Sequence, residues 1–472
     1  MKILLTGASG YIGKRLLPIL IEKGHEVVCG VRDLKRFNPP KSLVDKIKIV
    51  QIDLLKKDSL KNIPNDIDGA FYLVHSMSAA EDYKELEERS AINFREHINS
   101  TQVKHVVYLS GIINETELSQ HLSSRKNVEL ELGKGNYHLT TLRAGIIIGS
   151  GSASFEIMRD IVEKLPVMIT PKWLKTKCQP IGISDVLKFL SQTIFNPDTF
   201  NQDFDIGGPD ILTYKEMLLR LGKKRNLKRY ILVVPIMTPK LSSYWLYFVT
   251  STSYKLAKAL VNSMKIEVIC RNNDINQLLD ITPLSYSENI ELAFSKIERN
   301  EVVSSWKDAF ISSNSNFNIS EFIEVPTFGC FKDKRNKKVT DLSYTKSKIW
   351  SIGGANGWYY GNWLWRIRGV LDKIAGGVGL RRGRTSEVSL NAGDALDFWR
   401  VLYADKEEGR LLLFAEMKLP GEAWLEFSIK EGSLTQTATF RPLGVLGRLY
   451  WWSVYPFHGF IFKGMLKKLT SK

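Results

Sequence analysis

Three glycines, Gly7, Gly10 and Gly13, stand at equal spacing between a short apolar run, Lys2–Leu5, and a helical pattern through Leu16, Leu17, Ile19, Leu20 and Ile21. Glycines so placed can cradle a phosphate. The first permits a tight turn, the second lets backbone N–H groups approach the anion, and the third lets helix and strand pack closely. The N-terminus of the following helix favours negative charge. Ser9 adds a hydroxyl donor, and Tyr11 and Ile12 supply the first N–H groups of the helix. The set Gly7, Ser9, Gly10, Tyr11, Ile12 and Gly13 therefore reads as a pyrophosphate site, because it lies between a strand and a helix.

Two further positions speak to which dinucleotide would bind. The second strand, Glu26–Val31, runs into Arg32. A carboxylate there holds the ribose 2′-hydroxyl of NAD, whereas an arginine accommodates a 2′-phosphate. Arg32, with Lys35 and Arg36 close behind, argues for NADPH over NADH, and Asp33 argues the other way. Asp53 and Leu54 follow the third strand and are placed to meet the adenine edge. Asp53 is equally suited to capping a helix from Leu54 onward.

The elements that must position these residues alternate. Strand patterns at Lys2–Leu5, Glu26–Val31, Lys46–Ile52, Gly69–Val74, His105–Leu109 and Leu139–Ile148 are separated by helical stretches that include Ala79–Asn99 and Leu118–Leu132. That order predicts an α/β domain with a doubly wound parallel sheet, a Rossmann-type arrangement, with its substrate subdomain, over residues 1–298. Residues 299–340, polar and then highly charged, read as a linker. Residues 341–472 change character. Strands at Glu387–Leu390, Asp397–Ala404, Arg410–Leu419, Glu422–Lys430 and Ser433–Arg441 alternate with turn signals, and Leu446–Leu469 reads as one long aromatic helix. An antiparallel sheet closed on a helix predicts an α+β domain of helix-grip type enclosing apolar space for a fatty or isoprenoid-like molecule. Trp358, Tyr359, Tyr360, Trp363 and Trp365 suit either its core or a ligand wall, and His458 reads as a core residue.

The motifs TGASGYIG, GVRD, the Ile52–Leu54 segment, YLVHS, YLSGI, LRAGIIIG, ISDV and IGGP resemble the short-chain dehydrogenase/reductase superfamily in its extended and atypical branches, over roughly residues 1–296. The stretch Val234–Thr250 looks like a segment of a bacterial subgroup related to NmrA-like regulators and to an accessory subunit of respiratory complex I. Residues 347–472 resemble the domain of unknown function that follows in that subgroup, and look similar to START-like domains that hold hydrophobic ligands. The resemblance implies an NAD(P)-dependent oxidoreductase with Ser110 as one catalytic member. It departs from the family at the Tyr-x-x-x-Lys pair, where this chain has His121 and Arg125. Arg125 can still bond the nicotinamide ribose but lends no proton at neutral pH. His121 can act as an acid or be a surface histidine at a helix start, and the residues alone leave both open. Two functions follow as expectations: an NADPH-dependent reductase of a hydrophobic carbonyl or enone, or a non-catalytic dinucleotide-binding redox sensor or assembly factor with a lipid-binding C-terminal domain.

Composition sets the bounds. The formal charge of the 472-residue chain is +16, and residues 330–472 hold 24 Lys+Arg against 13 Asp+Glu, a difference of +11. That charge suits peripheral contact with an anionic membrane, but no nucleic-acid motif accompanies it. The four cysteines have no metal-ligand spacing, so no metal is expected, and they fit a reducing compartment. Lys2 leads straight into a strand, which reads as no secretory leader, and no apolar run reaches roughly 18 residues. A cytoplasmic protein is expected.

Overall fold

The computed structural model describes residues 1–34, 37, 39, 41–74, 83–113, 120–234, 261–298, 325, 330–375, 377, 379, 390, 394–442 and 444–471. The chain forms two compact units. The first holds the described residues up to Glu298 and the second those from Val325 onward.

In the first unit, seven strands form one parallel sheet: β1 Lys2–Thr6, β2 Glu26–Val31, β3 Ile47–Gln51, β4 Gly69–Tyr72, β5 His105–Gly111, β6 His138–Ala144 and β7 Gln202–Ile206. Their order is β7-β6-β5-β4-β1-β2-β3, so the chain starts near the middle and winds outward both ways. The inner strands β1, β2, β4 and β5 are mostly apolar runs because helices cover both faces, whereas the flanking β3, β6 and β7 carry polar residues. On one face α1, Tyr11–Glu22, lies with α5, Ile183–Thr193, over a core that includes Leu5, Leu16, Leu20, Val107 and Leu190. On the other, α2, Tyr83–Ile98, and α3, Gln120–Leu132, cover Leu4, Tyr72, Phe94, Tyr108 and Val128. In α1 the buried residues Gly13, Leu16, Leu17 and Leu20 recur at helical spacing. A satellite core around Phe155, Met158, Met217, Tyr286 and Ile290 joins α4, Ala153–Lys164, α6, Tyr214–Lys224, and α7, Tyr286–Glu298.

The second unit is a six-stranded antiparallel sheet with helices: β8 Phe331–Lys338, α8 Leu342–Trp350, α9 Asn362–Ile374, β9 Ala395–Leu396, β10 Trp399–Asp405, β11 Arg410–Ala415, β12 Gly421–Lys430, β13 Ser433–Pro442 and α10 Gly444–Thr470. The sheet order is β8-β13-β12-β11-β10-β9.

Two expectations change. The segment 299–340, read as a linker, contains β8, which pairs with β13 over its whole length from Phe331↔Phe440 to Lys338↔Ser433. Its lysines hid it, because an edge strand can point charge at solvent on one face. The run read as a single strand, Leu139–Ile148, ends at Ala144 and resumes only as Ile147–Ile148. Gly145 breaks it by approaching the Gln179 carbonyl so closely that a Cβ would lie 2.7 Å away.

Candidate functional site

The glycine loop ends β1 and opens α1, and each glycine has its own reason. Gly7 has φ +72, and a Cβ there would meet the Leu73 carbonyl oxygen at 2.8 Å. A Cβ on Gly13 would lie 2.3 Å from the Gly7 carbonyl oxygen, so this glycine lets the helix sit on the loop. At Gly10 a Cβ would meet only that same oxygen, at 3.1 Å, and otherwise enter open space. Gly10 is the N-cap of α1, puts no side chain on the first-turn N–H groups, and no acidic residue stands in that turn. A helix N-terminus with a glycine N-cap and no acidic residue in its first turn fits a pyrophosphate. Ser9 and Ile12 are half-buried beside it, whereas the Tyr11 ring turns into the protein, under the Arg15 guanidinium at 4.2 Å. Burial pushes the Tyr11 hydroxyl up to about 12.

Arg32 is exposed just past β2 and within electrostatic reach of Asp53. The Asp53 carboxylate accepts the Leu55 N–H at 3.1 Å, so it closes a turn. The helix that follows starts later, at Lys57. Leu54 is buried in the core beneath α2, and its carbonyl accepts from Asn93 at 2.7 Å. Lys35, Arg36 and the part of Val234–Thr250 beyond Val234 lie outside the described residues.

The ends of β1, β4 and β5 are neighbours along one edge of the sheet. There Ser110, in the last turn of β5, is buried and its Oγ has no hydrogen-bond partner. Arg125, on α3, extends its guanidinium to the Leu109 carbonyl at 3.4 Å. The structure thus brings Ser110 and Arg125 together. His121 falls on α3 one turn before Arg125, but its side chain lies outside the described residues.

Sequence reasoning missed two neighbours. Tyr108 is buried, its hydroxyl reaches the Arg125 carbonyl at 3.5 Å, and burial pushes its pKa up to about 12. Glu87 is buried on α2 and accepts a hydrogen bond from Ser124. Nothing distinguishes Glu87 from its many acidic neighbours except helical phase: it shares a face with Ala91, Phe94 and Ile98. Among the described residues no group of His, Cys, Asp or Glu could hold a metal ion, and no helix is long and apolar enough to cross a membrane.

Residues 7–138 match a family model described as NAD(P)H-binding, and residues 330–465 match a protein family of unknown function, DUF2867. The second match overturns the START-like assignment. The antiparallel sheet and long helix are present, and the family model they match is DUF2867. An uncharacterized protein of Saccharomyces cerevisiae is 32% identical over 116 residues, 24% of this chain and 39% of that protein. Divinyl chlorophyllide a 8-vinyl-reductase of Cucumis sativus is 24% identical over 245 residues, 48% of this chain and 58% of that one. The photosystem II assembly factor Ycf39 of Trieres chinensis is 23% identical over 213 residues, 44% of this chain and 64% of that one. The alignments thus span less than two thirds of each of these relatives. The solved structure of a triphenylmethane reductase from Citrobacter sp. superposes with a TM-score of 0.52 at 15% identity, covering 62% of this chain and all of that one. The first unit thus has a Rossmann-type fold and is similar over residues 7–138 to NAD(P)H-binding proteins, and the second unit is similar over residues 330–465 to the DUF2867 family.

Proposed function

We propose that the first unit is an NADPH-dependent reductase acting on a hydrophobic carbonyl or enone. The observation that carries this reading is the glycine-capped helix N-terminus at Gly10, with the unpartnered Ser110 hydroxyl and the Arg125 guanidinium on the same sheet edge. A relative named as a vinyl-reductase supports it.

The bound dinucleotide supplies the hydride. The chain's own residues bind and orient. Backbone N–H groups of the Gly7–Gly13 loop hold the pyrophosphate, Arg32 takes the 2′-phosphate, and Arg125 holds the nicotinamide ribose. Ser110 Oγ, buried and without a partner, donates a hydrogen bond to the substrate oxygen and strengthens it as charge develops there. The proton comes from His121 or from water.

Calorimetry tests the cofactor half. Gly10→Val abolishes binding of NADPH and NADH alike, because the new side chain enters the space a pyrophosphate needs. Arg32→Ala weakens NADPH by about tenfold or more, the scale of a hydrogen bond to a charged group, and leaves NADH nearly unchanged. Equal losses for both cofactors would remove the argument for NADPH. A panel of hydrophobic ketones and enones tests the chemistry through NADPH oxidation.

A second reading rests on one specific feature. His121 and Arg125 stand where the resemblance puts a proton-donating tyrosine and the lysine that lowers its pKa, and a guanidinium stays charged at all ordinary pH. With the assembly-factor relative, that favours a dinucleotide-binding sensor or assembly factor. NADPH binding without oxidation across the whole panel would select it. A basic second unit that meets anionic bilayers belongs to this reading too, and its binding would weaken with salt.

A further inference from the structure

A helix at the surface of a globular unit turns its apolar stripe to the core. In the second unit, α9 does the reverse. Its buried residues are Trp365, Gly369 and Asp372. Trp363, Ile367, Val370 and Ile374, at helical spacing on another face, are all exposed, Trp363 by 60% and Ile374 by 70%. Helix α10 repeats the pattern over a longer stretch. Leu446, Leu449, Pro456, Phe460, Lys463 and Lys467 share one face and are exposed, with Trp452 and Phe457 exposed beside them. Between the two helices opens a cavity of about 280 Å³ with an almost wholly apolar wall. Ile367 and Leu371 of α9 and Phe457 of α10 line it and are exposed as well, so both stripes border one opening. An exposed apolar patch of this kind marks a site of contact with a protein or a membrane.

Charge separates the two. Helix α9 carries three Lys and Arg residues and α10 four, against one acidic residue, Asp372. Asp372 is buried and accepts the backbone N–H of Gly379 at 2.8 Å and of Lys418 at 2.7 Å, so no carboxylate of either helix reaches the surface. At the C-terminal end of the α10 stripe, Lys463 lines a groove together with Lys334 of β8, which carries the basic border onward. A second copy docked about a twofold axis would set these cations against one another. An anionic lipid surface would neutralise them while the apolar centre leaves water.

We propose that the outward faces of α9 and α10 seat on an anionic bilayer, with Trp363, Ile374, Trp452 and Phe460 entering the boundary between headgroups and acyl chains. Tryptophan favours that depth. Helices with aromatic and aliphatic residues on one side and Lys or Arg beside them lie in the plane of the interface. Among the described residues no helix is long and apolar enough to cross a membrane. The proposal rests on the bilayer contact of the second reading above and names the surface that makes it.

The test is co-sedimentation of the full chain with vesicles of phosphatidylcholine mixed with phosphatidylglycerol, and of phosphatidylcholine alone. Binding to the mixed vesicles is expected to be at least about tenfold tighter, since several cations stand near the surface. Phosphatidylcholine brominated along its acyl chains quenches indoles that enter the bilayer, and the tryptophan emission is expected to fall when it is included. Trp363→Ser combined with Trp452→Ser should weaken binding about tenfold and remove much of that quenching, with the thermal midpoint kept because both side chains are exposed. Lys463→Glu combined with Lys467→Glu should remove most of the preference for mixed vesicles. Wild-type binding without quenching, or unchanged affinity and quenching in the tryptophan variant, would overturn the inference and leave a purely charge-driven contact standing. No binding of the wild type to mixed vesicles would overturn the inference and that contact together, while dinucleotide binding still decides the rest of the second reading. The wild-type measurements decide even where a variant fails to fold.

Discussion

A buried hydroxyl without a partner is a cost unless it has work to do, and Ser110 makes that distinction measurable. Ser110→Ala removes an unsatisfied polar atom from the end of β5. Thermal stability is therefore expected to hold or to rise, by up to about 1 kcal/mol. In the proposed reductase, turnover falls at least about tenfold while NADPH affinity is unchanged. A loss of stability together with unchanged turnover would return Ser110 to the core. At this scale the glycine loop was legible in the sequence because its spacing is dictated by backbone contacts: Gly13 must approach the Gly7 carbonyl, and no other side chain permits it. Glu87 and Tyr108 were not legible as site residues. What makes them so is burial, and burial depends on which face of a polar helix meets the sheet.

Among the elements, α6 is set by a local signal, Thr213 with Glu216 three residues on, that the sequence carries although its reading did not single it out. Helix α6 opens with a capping box, in which Thr213 Oγ1 accepts the Glu216 N–H at 3.2 Å and the Glu216 carboxylate accepts the Thr213 N–H at 2.7 Å. Thr213→Ala is expected to cost about 1 kcal/mol, seen as a lower denaturation midpoint of the first unit, and Thr213→Ser to restore most of it. An unchanged midpoint would mean that α6 is held by packing alone. The strand β8 was missed because it carries no such local signal. Its sequence, Phe-Lys-Asp-Lys-Arg-Asn-Lys-Lys, has no apolar alternation, and only its long-range pairing with β13 makes it a strand. The Tyr-x-x-x-Lys position is an intermediate case: α3 is where the helical pattern put it, and Arg125 reaches β5, while the His121 side chain is outside the described residues.

For the molecule as a whole, stability should depend on pH through a buried histidine. His105 is fully buried, accepts the Phe195 N–H at Nδ1 at 2.9 Å and meets Thr140 Oγ1 through Nε2 at 2.9 Å. Thr140 in turn donates to the Thr199 carbonyl at 2.6 Å, so the ring ties β5 and β6 to the chain leading into β7. With Nδ1 an acceptor, the neutral ring is the one that fits. Burial first, and then His138, push its pKa down to about 4 from 6.5. The unfolded chain therefore binds a proton before the folded one does. The histidine's contribution is complete above pH 6.5 and is lost as pH falls from there to about 4, amounting to roughly 3 kcal/mol at the acid end. Denaturant titrations of the wild type between pH 7 and 4.5 should show that decline, and His105→Gln should flatten it. A decline of the same size in His105→Gln would assign the acid sensitivity to other groups.

The lysine-rich strand that passed for a linker also bears on how copies of the chain behave toward one another. A sheet's outermost strand leaves a row of N–H and C=O groups ready to pair with a foreign strand. In the second unit one such rim is β8, with Lys332, Lys334, Lys337 and Lys338 all exposed, and the other is β9, only two residues long. In the first unit the rims are β3, which exposes Lys48, and β7, which exposes Gln202 and Asp203. Each rim is charged, polar or too short to template an incoming strand. An incoming strand that lengthened either of these two sheets would be set beside charged side chains or a margin of two residues, which weakens backbone pairing at those rims.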